Sequence, residues 1–403
     1  PELRGRKPFG GHIMSHDFIE AALMRRGGWA IHMMPGLEGS YEESPPSLMD
    51  LAVRDRRWCQ GNLQHIGVLP ARGLHLISRM HLMTGIGSYI TAPLWLLFLL
   101  SGVLIALQAR FIPPDYFPSA GKALFPQWPV IDPVRAMWVF IGTMGLLLVP
   151  KLLGMITVLV RRDLRRGCGG FFGLIGSLVL ETLIAGLMAP VVMLTQSIDV
   201  VAILLGRDSG WNAQRRDDGG IPLRDIVRLY RRHSILGVLL GIGAWAVSPY
   251  LALWMLPVVL GLALAVPLAS LTGRRSLGLG LRTIGLLRIP EEVHPPEVLR
   301  RTATLYRQAV AEPAVDSVSA LLDDPALLAA HRQMLPPGRR PGVDPLNVPL
   351  LTGAAKLAET DCLETVWPTL NAAEKAAVLS DPSTLERLAS LHHTDPGAKW
   401  ISP

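Results

Sequence analysis

Apolar positions run almost unbroken through four stretches of the chain, about 86–107, 135–160, 172–205 and 235–271. A helix needs about 20 residues to cross the hydrocarbon core of a membrane, so the first two stretches predict one span each. The other two, each about 35 residues, are long enough for tight hairpins, interrupted by Pro190 and Pro249. Six spans follow: about 86–107, 135–160, 172–190, 190–205, 235–249 and 250–271. The expected fold class is a mostly α membrane protein.

The flanking segments are patterned differently. Residues 1–70 mix polar and apolar positions. "SHDFIEAALMRRGG" predicts a short helix closed by Gly27 and Gly28, because glycine tolerates the left-handed conformation of a helix end. "WAIHMM" predicts a short strand, and "SPPSLMDLAVRDRRWCQGNL" a second helix with Pro45 and Pro46 near its first turn. Residues 71–85 mix His, Arg and Leu, the composition of an interfacial helix lying on the membrane. From 272 to 403, Pro-rich joints separate Ala/Leu helices such as "NAAEKAAVL" and "STLERLASL", which predicts a small helical cytoplasmic region.

Charge fixes the sidedness. Cytoplasmic loops carry the excess of Lys and Arg. The loop at 161–167, "RRDLRRG", and the segment 206–233, with seven arginines, both read as cytoplasmic, and 108–134 reads as external. Six spans satisfy all three. Reading 172–205 as one span would put seven arginines outside. A mean hydropathy of +0.34 with a charged fraction of 18% fits a membrane protein. The net charge of +7 follows the topology rule, so no nucleic-acid partner is expected; the partner expected at these loops is membrane lipid. Cys59, Cys168 and Cys362 are far apart, which argues against a disulfide framework or zinc site. The chain begins at Pro1 in the manner of a mid-domain segment, so we expect it to be the C-terminal portion of a longer polypeptide.

Several residues are candidates for chemistry. Asp17 either caps a helix, with Glu20 completing a capping box, or serves as a general base at a helix start. His12 and His16 lie four residues apart with His32 nearby, but core or surface histidines account for them more readily than a metal site. Arg54 and Arg57 share a helix face with Trp58 next to them. Arginines bind phosphate bidentately and an aromatic face stacks on sugar rings, although a solvated charged face has the same spacing. Glu181 and Lys151 lie within apolar runs, where a charge is costly, and could pair. The Gly-flanked "GWNAQRRDDGG", with Trp211, Gln214, Arg215 and Arg216, is either an ordinary positive-inside loop or a mobile lid.

These pieces together resemble the processive membrane glycosyltransferases of family 2, the cellulose-synthase-like group. That group carries a carboxylate base at a helix start, then a Q/R-x-x-R-W motif, an interfacial helix and membrane spans. Here the base matches Asp17 in "SHD" and the motif matches Arg54-x-x-Arg57-Trp58, with Arg where cellulose synthases have Gln. The wording "GGHIMSHDFIEAALMRRGGW", "EGSYEESPPSL" and "RDRRWCQGNLQH" is most similar to the branch that builds the β-glucan backbone of osmoregulated periplasmic glucans. The resemblance implies that residues 1–70 are the C-terminal remnant of an α/β, GT-A type glycosyltransferase domain. It implies a processive inverting glucosyltransferase that polymerises glucose from UDP-glucose and passes the growing β-glucan across the bacterial inner membrane. Asp17 would deprotonate the acceptor; Arg54, Arg57 and Trp58 would hold the diphosphate and the acceptor sugar. Trp211, Gln214 and Arg215 would belong to a loop covering the nucleotide. Mg²⁺ or another divalent cation is implied, with its ligands upstream of this stretch, which would leave the stretch alone inactive. A periplasmic glucan-processing protein is an implied partner. The competing readings are a synthase of another polysaccharide, such as cellulose or hyaluronan, and a membrane transporter.

Overall fold

The computed structural model describes residues 2–34, 36–37, 39–112, 132–208, 210, 215, 220–311, 317–336 and 346–393. It divides into two compact units, residues 1–300 and 301–403.

The first unit opens with a two-residue antiparallel pair, β1 (Glu2–Leu3) and β2 (Gly11–His12). Helix α1 (Asp17–Arg26) follows, closed by Gly27 and by Gly28 at φ +87°. The cap differs from expectation. His16 occupies the N-cap position without a side-chain cap bond, so Asp17 is the first helical residue and no capping box forms. The strand expected at 29–34 is absent; the segment is irregular and exposed, with no neighbouring strand to pair it. Helix α2 (Leu48–Val68) starts at Ser47, whose hydroxyl accepts from the Asp50 backbone N–H; the two prolines precede the cap.

The apolar runs form fewer elements than their lengths suggest. The interfacial helix expected at 71–85 is continuous with the first span: α3 runs unbroken from Leu76 to Phe111. Helix α4 (Pro133–Val160) is followed by the short α5 (Arg162–Gly167). The hairpin expected at 172–205 does not form. Gly170–Leu204 is one helix, α6, which absorbs Pro190 in its interior. Proline removes one backbone hydrogen bond, and neighbouring helices offset that loss here, since Pro190 and Val191 are both buried. The last hairpin does form: α7 (Leu223–Val247) turns at Ser248 into α8 (Pro249–Ala263), and α9 (Ala265–Thr272) continues at a bend of 58°. Helices α3, α4 and α6 are long and apolar enough to cross a membrane, four elements if the bent pair α8–α9 is one span. That is a multi-pass α-helical membrane protein, with fewer than six such spans among the described residues.

Helix α6 holds the unit together. Along its second half it packs on α2, through a cluster of Leu48, Val191, Tyr230, Ala265 and Ala269, and another of Cys59, Leu63, Tyr89, Val200 and Ile203. Along its first half it meets the segment after the last hairpin. The Leu287 N–H donates to Ser177 Oγ at 2.8 Å, Arg288 Nε donates to the Gly167 carbonyl at 2.9 Å, and Gly169 lies against Gly285. Lys151 of α4 meets Glu181 of α6 with Nζ–Oε2 at 2.6 Å, which joins the two charges that the sequence places in apolar runs.

The second unit is a small helical bundle, as the tail composition predicts. Its core is Leu322, Leu357, Leu363, Val378, Leu385, Leu388 and Leu391. Its helix Ala372–Leu379 carries the capping box of Asn371 and Glu374.

Candidate active site

At 100° per residue, α2 presents one long stripe through Ser47, Asp50, Arg54, Arg57, Trp58, Gly61, Gln64 and His65. Its opposite side carries Asp55, Arg56, Cys59 and Leu63. The stretch "RDRRWC" therefore divides between two tasks.

The inward side is anchored. Asp55 accepts from Tyr89 Oη of α3 at 2.9 Å and from Gln196 Nε2 of α6 at 2.8 Å, one bond to each carboxylate oxygen. Arg56 Nε lies 3.6 Å from Asp199 of α6. Cys59 is buried beneath them; burial, reinforced by the Asp199 and Asp55 charges, pushes its thiol up to about 12. It is an inert core thiol.

The stripe falls into three zones. In the middle, Arg54 stacks on Trp58 with its guanidinium carbon 4.5 Å from the ring centroid, and Trp58 is 40% exposed. Arg57, three residues from Arg54, shares this zone. The Arg54 Nε is buried without a hydrogen-bond partner among the described residues. At one end, Asp50 is buried, takes a 2.5 Å bond from Ser47 Oγ, and faces Arg215 Nε at 3.9 Å. At the other end, the segment 8–15 lies across Gly61, Gln64 and His65. Gly61 is required there, because a Cβ would run into the Ser15 backbone.

That segment delivers Asp17. His65 Nε2 donates to the Ser15 carbonyl at 2.9 Å, and the Phe18 ring lies 5.8 Å from the His65 ring. Asp17 is 86% exposed in its side chain, with His16 Nδ1 3.3 Å from Oδ1. Asp17 thus stands next to Phe18 and two residues past Ser15, which meet α2 at His65, while Arg54, Arg57 and Trp58 lie further toward the start of the same helix.

Trp211, Gln214 and Arg216 lie outside the described residues. Two points of their loop are defined. Arg215 lies by Asp50. Asp208 accepts from Gln60 Nε2 at 2.8 Å and pairs with Lys7 at 3.1 Å. Those partners, Gln60 first, hold the Asp208 carboxyl below its ordinary value. His12 pairs with Glu2 and not with His16, so the three histidines form no shared site. Among the described residues one grouping has metal-ligand spacing: His16, Asp17 and Glu20, all exposed, with ligand atoms within 4.8 Å of one another. The set does not fit Mg²⁺, a hard ion that takes near-octahedral oxygen ligands. One of the three donors is an imidazole, and both carboxylates already face it.

Asp55, Gln60, Gln64, His65 and Asp208 were not singled out from the sequence. A usable signal is the pair of glutamines four apart, Gln60 and Gln64, which puts two amides on neighbouring positions of one helix face.

An arginine-bearing helix seated against a bundle of long apolar helices, with an exposed carboxylate held at its side, defines a multi-pass membrane protein with a polar site at the bundle's edge. Three curated relatives carry one name. Glucans biosynthesis glucosyltransferase H of Rhodopseudomonas palustris is 52% identical over 395 residues, 97% of this chain and 54% of that protein. The same-named proteins of Bradyrhizobium diazoefficiens and Shewanella baltica are 50% and 43% identical, each over 97% of this chain and over 51% and 54% of their own lengths. Along the shared segment the chain is a homologue of the glucans biosynthesis glucosyltransferases H. It spans about half the length of the curated relatives it matches. No protein-family model and no solved structure matches the chain.

Proposed function

We propose that the chain is the acceptor-handling and membrane part of a processive, inverting glucosyltransferase that builds the β-glucan backbone of osmoregulated periplasmic glucans from UDP-glucose. Supporting this reading, the segment that ends in Asp17 is bonded through Ser15 to the same helix that carries the Arg54–Trp58 stack, and the relatives compared above are named glucosyltransferases. In the proposed reaction an acceptor hydroxyl of the growing glucan attacks C1 of the donor glucose. Its proton passes to the Asp17 carboxylate, the bond from C1 to the diphosphate oxygen breaks, and UDP leaves with the electron pair. Arg54 and Arg57 offset the negative charge that grows on the diphosphate. Trp58 supplies a stacking platform for the acceptor sugar. Residues 1–70 are read as the end of a GT-A type domain, and the loop through Trp211, Gln214 and Arg215 as a cover over the nucleotide. Mg²⁺ remains part of the proposal with ligands other than His16, Asp17 and Glu20.

The proposed location is a bacterial inner membrane, with both units' polar faces cytoplasmic, glucan passing outward through the bundle, and a periplasmic glucan-processing protein receiving it. The single helix α6 changes the topology. Arginines crowd both of its ends: Arg161, Arg162, Arg165 and Arg166 before it, and Arg207, Arg215 and Arg224 after it. One crossing would expose one group outside, against the charge rule. Its two halves pack on α2 and on residues 285–288, both assigned to the cytoplasmic side. We infer four crossings, by α3, α4, α7 and α8–α9, with α6 lying along the inner membrane face below the headgroups; this sets the charge rule above apolar length, by which α6 qualifies as a span and α7, with four arginines in its first ten residues, does not.

The test uses the natural full-length polypeptide in membrane vesicles supplied with radiolabelled UDP-glucose and Mg²⁺. Wild type should make a polymer that β-1,2-glucan-specific hydrolases digest, and Asp17→Asn should make none while inserting normally. Wild type without glucose incorporation would overturn the donor assignment. Incorporation into a cellulose- or hyaluronan-like polymer would overturn the product.

A further inference from the structure

Gln60, Gln64 and His65 are buried to within 1% of full enclosure. A primary amide buried without partners is costly, and these two are satisfied almost entirely by main chain from one short segment. Gln64 Nε2 donates to the Pro8 carbonyl at 2.9 Å and to the His12 carbonyl at 3.3 Å, while its Oε1 accepts from the Met14 N–H at 3.1 Å. Gln60 Nε2 donates to the Pro8 carbonyl at 3.2 Å and to Asp208. A side chain that merely filled the space between α2 and this segment would be apolar. A glutamine that uses both ends of its amide on three backbone groups within seven residues fixes that segment's conformation. Asp17, three residues past Met14, is exposed and among the described residues has ion-pair contact with His16 alone, so its location is set by the backbone that Gln64 grips.

We propose that Gln64 is the positioning residue for Asp17, with Gln60 tying the same segment to the root of the loop at Asp208. This rests on the transfer reaction proposed above. The grip needs a donor and an acceptor on one planar group. Leucine keeps the volume and loses every bond. Glutamate keeps the acceptor for Met14 N–H, but when ionised it turns its second oxygen toward two carbonyl oxygens. Protonated, it donates again.

The experiment compares Gln64→Leu and Gln64→Glu with wild type and Asp17→Asn in the full-length polypeptide in vesicles. Gln64→Leu should lower kcat by about 100-fold, the scale of a small misplacement of a reacting group. Its KM for UDP-glucose should be unchanged, because Arg54 and Arg57 occupy the open zone of the stripe. Gln64→Glu should be poor at neutral pH, and its rate relative to wild type should rise as pH falls and the carboxyl protonates. Rescue by acid is a signature that lost packing does not produce. A Gln64→Glu ratio independent of pH would overturn the proposal even if Gln64→Leu fails to fold, and a wild-type kcat in Gln64→Leu would do so directly. Full activity in Asp17→Asn would instead remove the underlying reading, whatever the Gln64 variants do.

Discussion

Arg54 lies over the face of Trp58, one helical turn along α2. The guanidinium is steered by the ring, and Trp58 stays 40% exposed, so the proposed stacking on a sugar would use the part of the ring that Arg54 does not cover. In the proposed reaction, phosphate and sugar binding would meet in one side-chain pair.

Trp58→Ala should thus weaken acceptor use by about tenfold or more and raise the KM for UDP-glucose by only about twofold to fivefold, the worth of an exposed cation–π contact. Steady-state kinetics with a short glucan acceptor would measure both. Equal losses would remove the stacking role.

His65 gives a pH dependence. Burial holds its imidazole below the ordinary value of 6.5, more than the Ser15 carbonyl bond raises it. The unfolded chain therefore binds the proton more readily. The stability His65 contributes is complete above about pH 6.5 and is lost as pH falls from there through the lowered folded value. Thermal unfolding in detergent between pH 5 and 8 should show a midpoint that drops in this window, and His65→Gln should flatten the drop. An unchanged slope would assign it to other groups.

Lys151 and Glu181 face each other within apolar helices. Removing one partner leaves a charge in hydrocarbon, at roughly 2.5–3.5 kcal/mol. Lys151→Met and Glu181→Met should each lower stability by about that amount, and the double variant should recover most of it. A double-variant cycle with additive losses would show that the pair is not coupled.

The placement of α6 is open to labelling. Cys168, just before α6, and a cysteine introduced as Arg207→Cys, just after it, should both react with an impermeant maleimide from the cytoplasmic side alone. Cys59 should stay unlabelled in the folded protein, because its thiol is buried and held protonated. Reaction of positions 168 and 207 from opposite sides would mean that α6 crosses.

Much of this arrangement is legible in the chain. The apolar runs, the closure of α1 at Gly27–Gly28, the turn near Pro249 and the shared face of Arg54, Arg57 and Trp58 follow from periodicity and local chemistry. The reading goes astray where tertiary contacts decide. Run length cannot separate a hairpin from one long helix when Pro190 is packed between neighbours. The strand at 29–34 has favourable residues but no partner. Asp17 has the spacing of a capping box, yet the chain enters the helix one residue earlier. The grip of Gln64 joins residues 50 apart in sequence, and no local pattern reports such a contact.

The interleaving of two tasks on α2 also limits how this stretch can change. Each residue turns the helix by about 100°. Inserting or deleting one residue between Arg54 and His65 would swing Asp55 out of its seat between Tyr89 and Gln196, or rotate the grip on residues 8–15 away from its carbonyls. Single replacements disturb one task at a time, whereas a frame change within the helix disturbs both. The segment can drift in wording, but its length is locked.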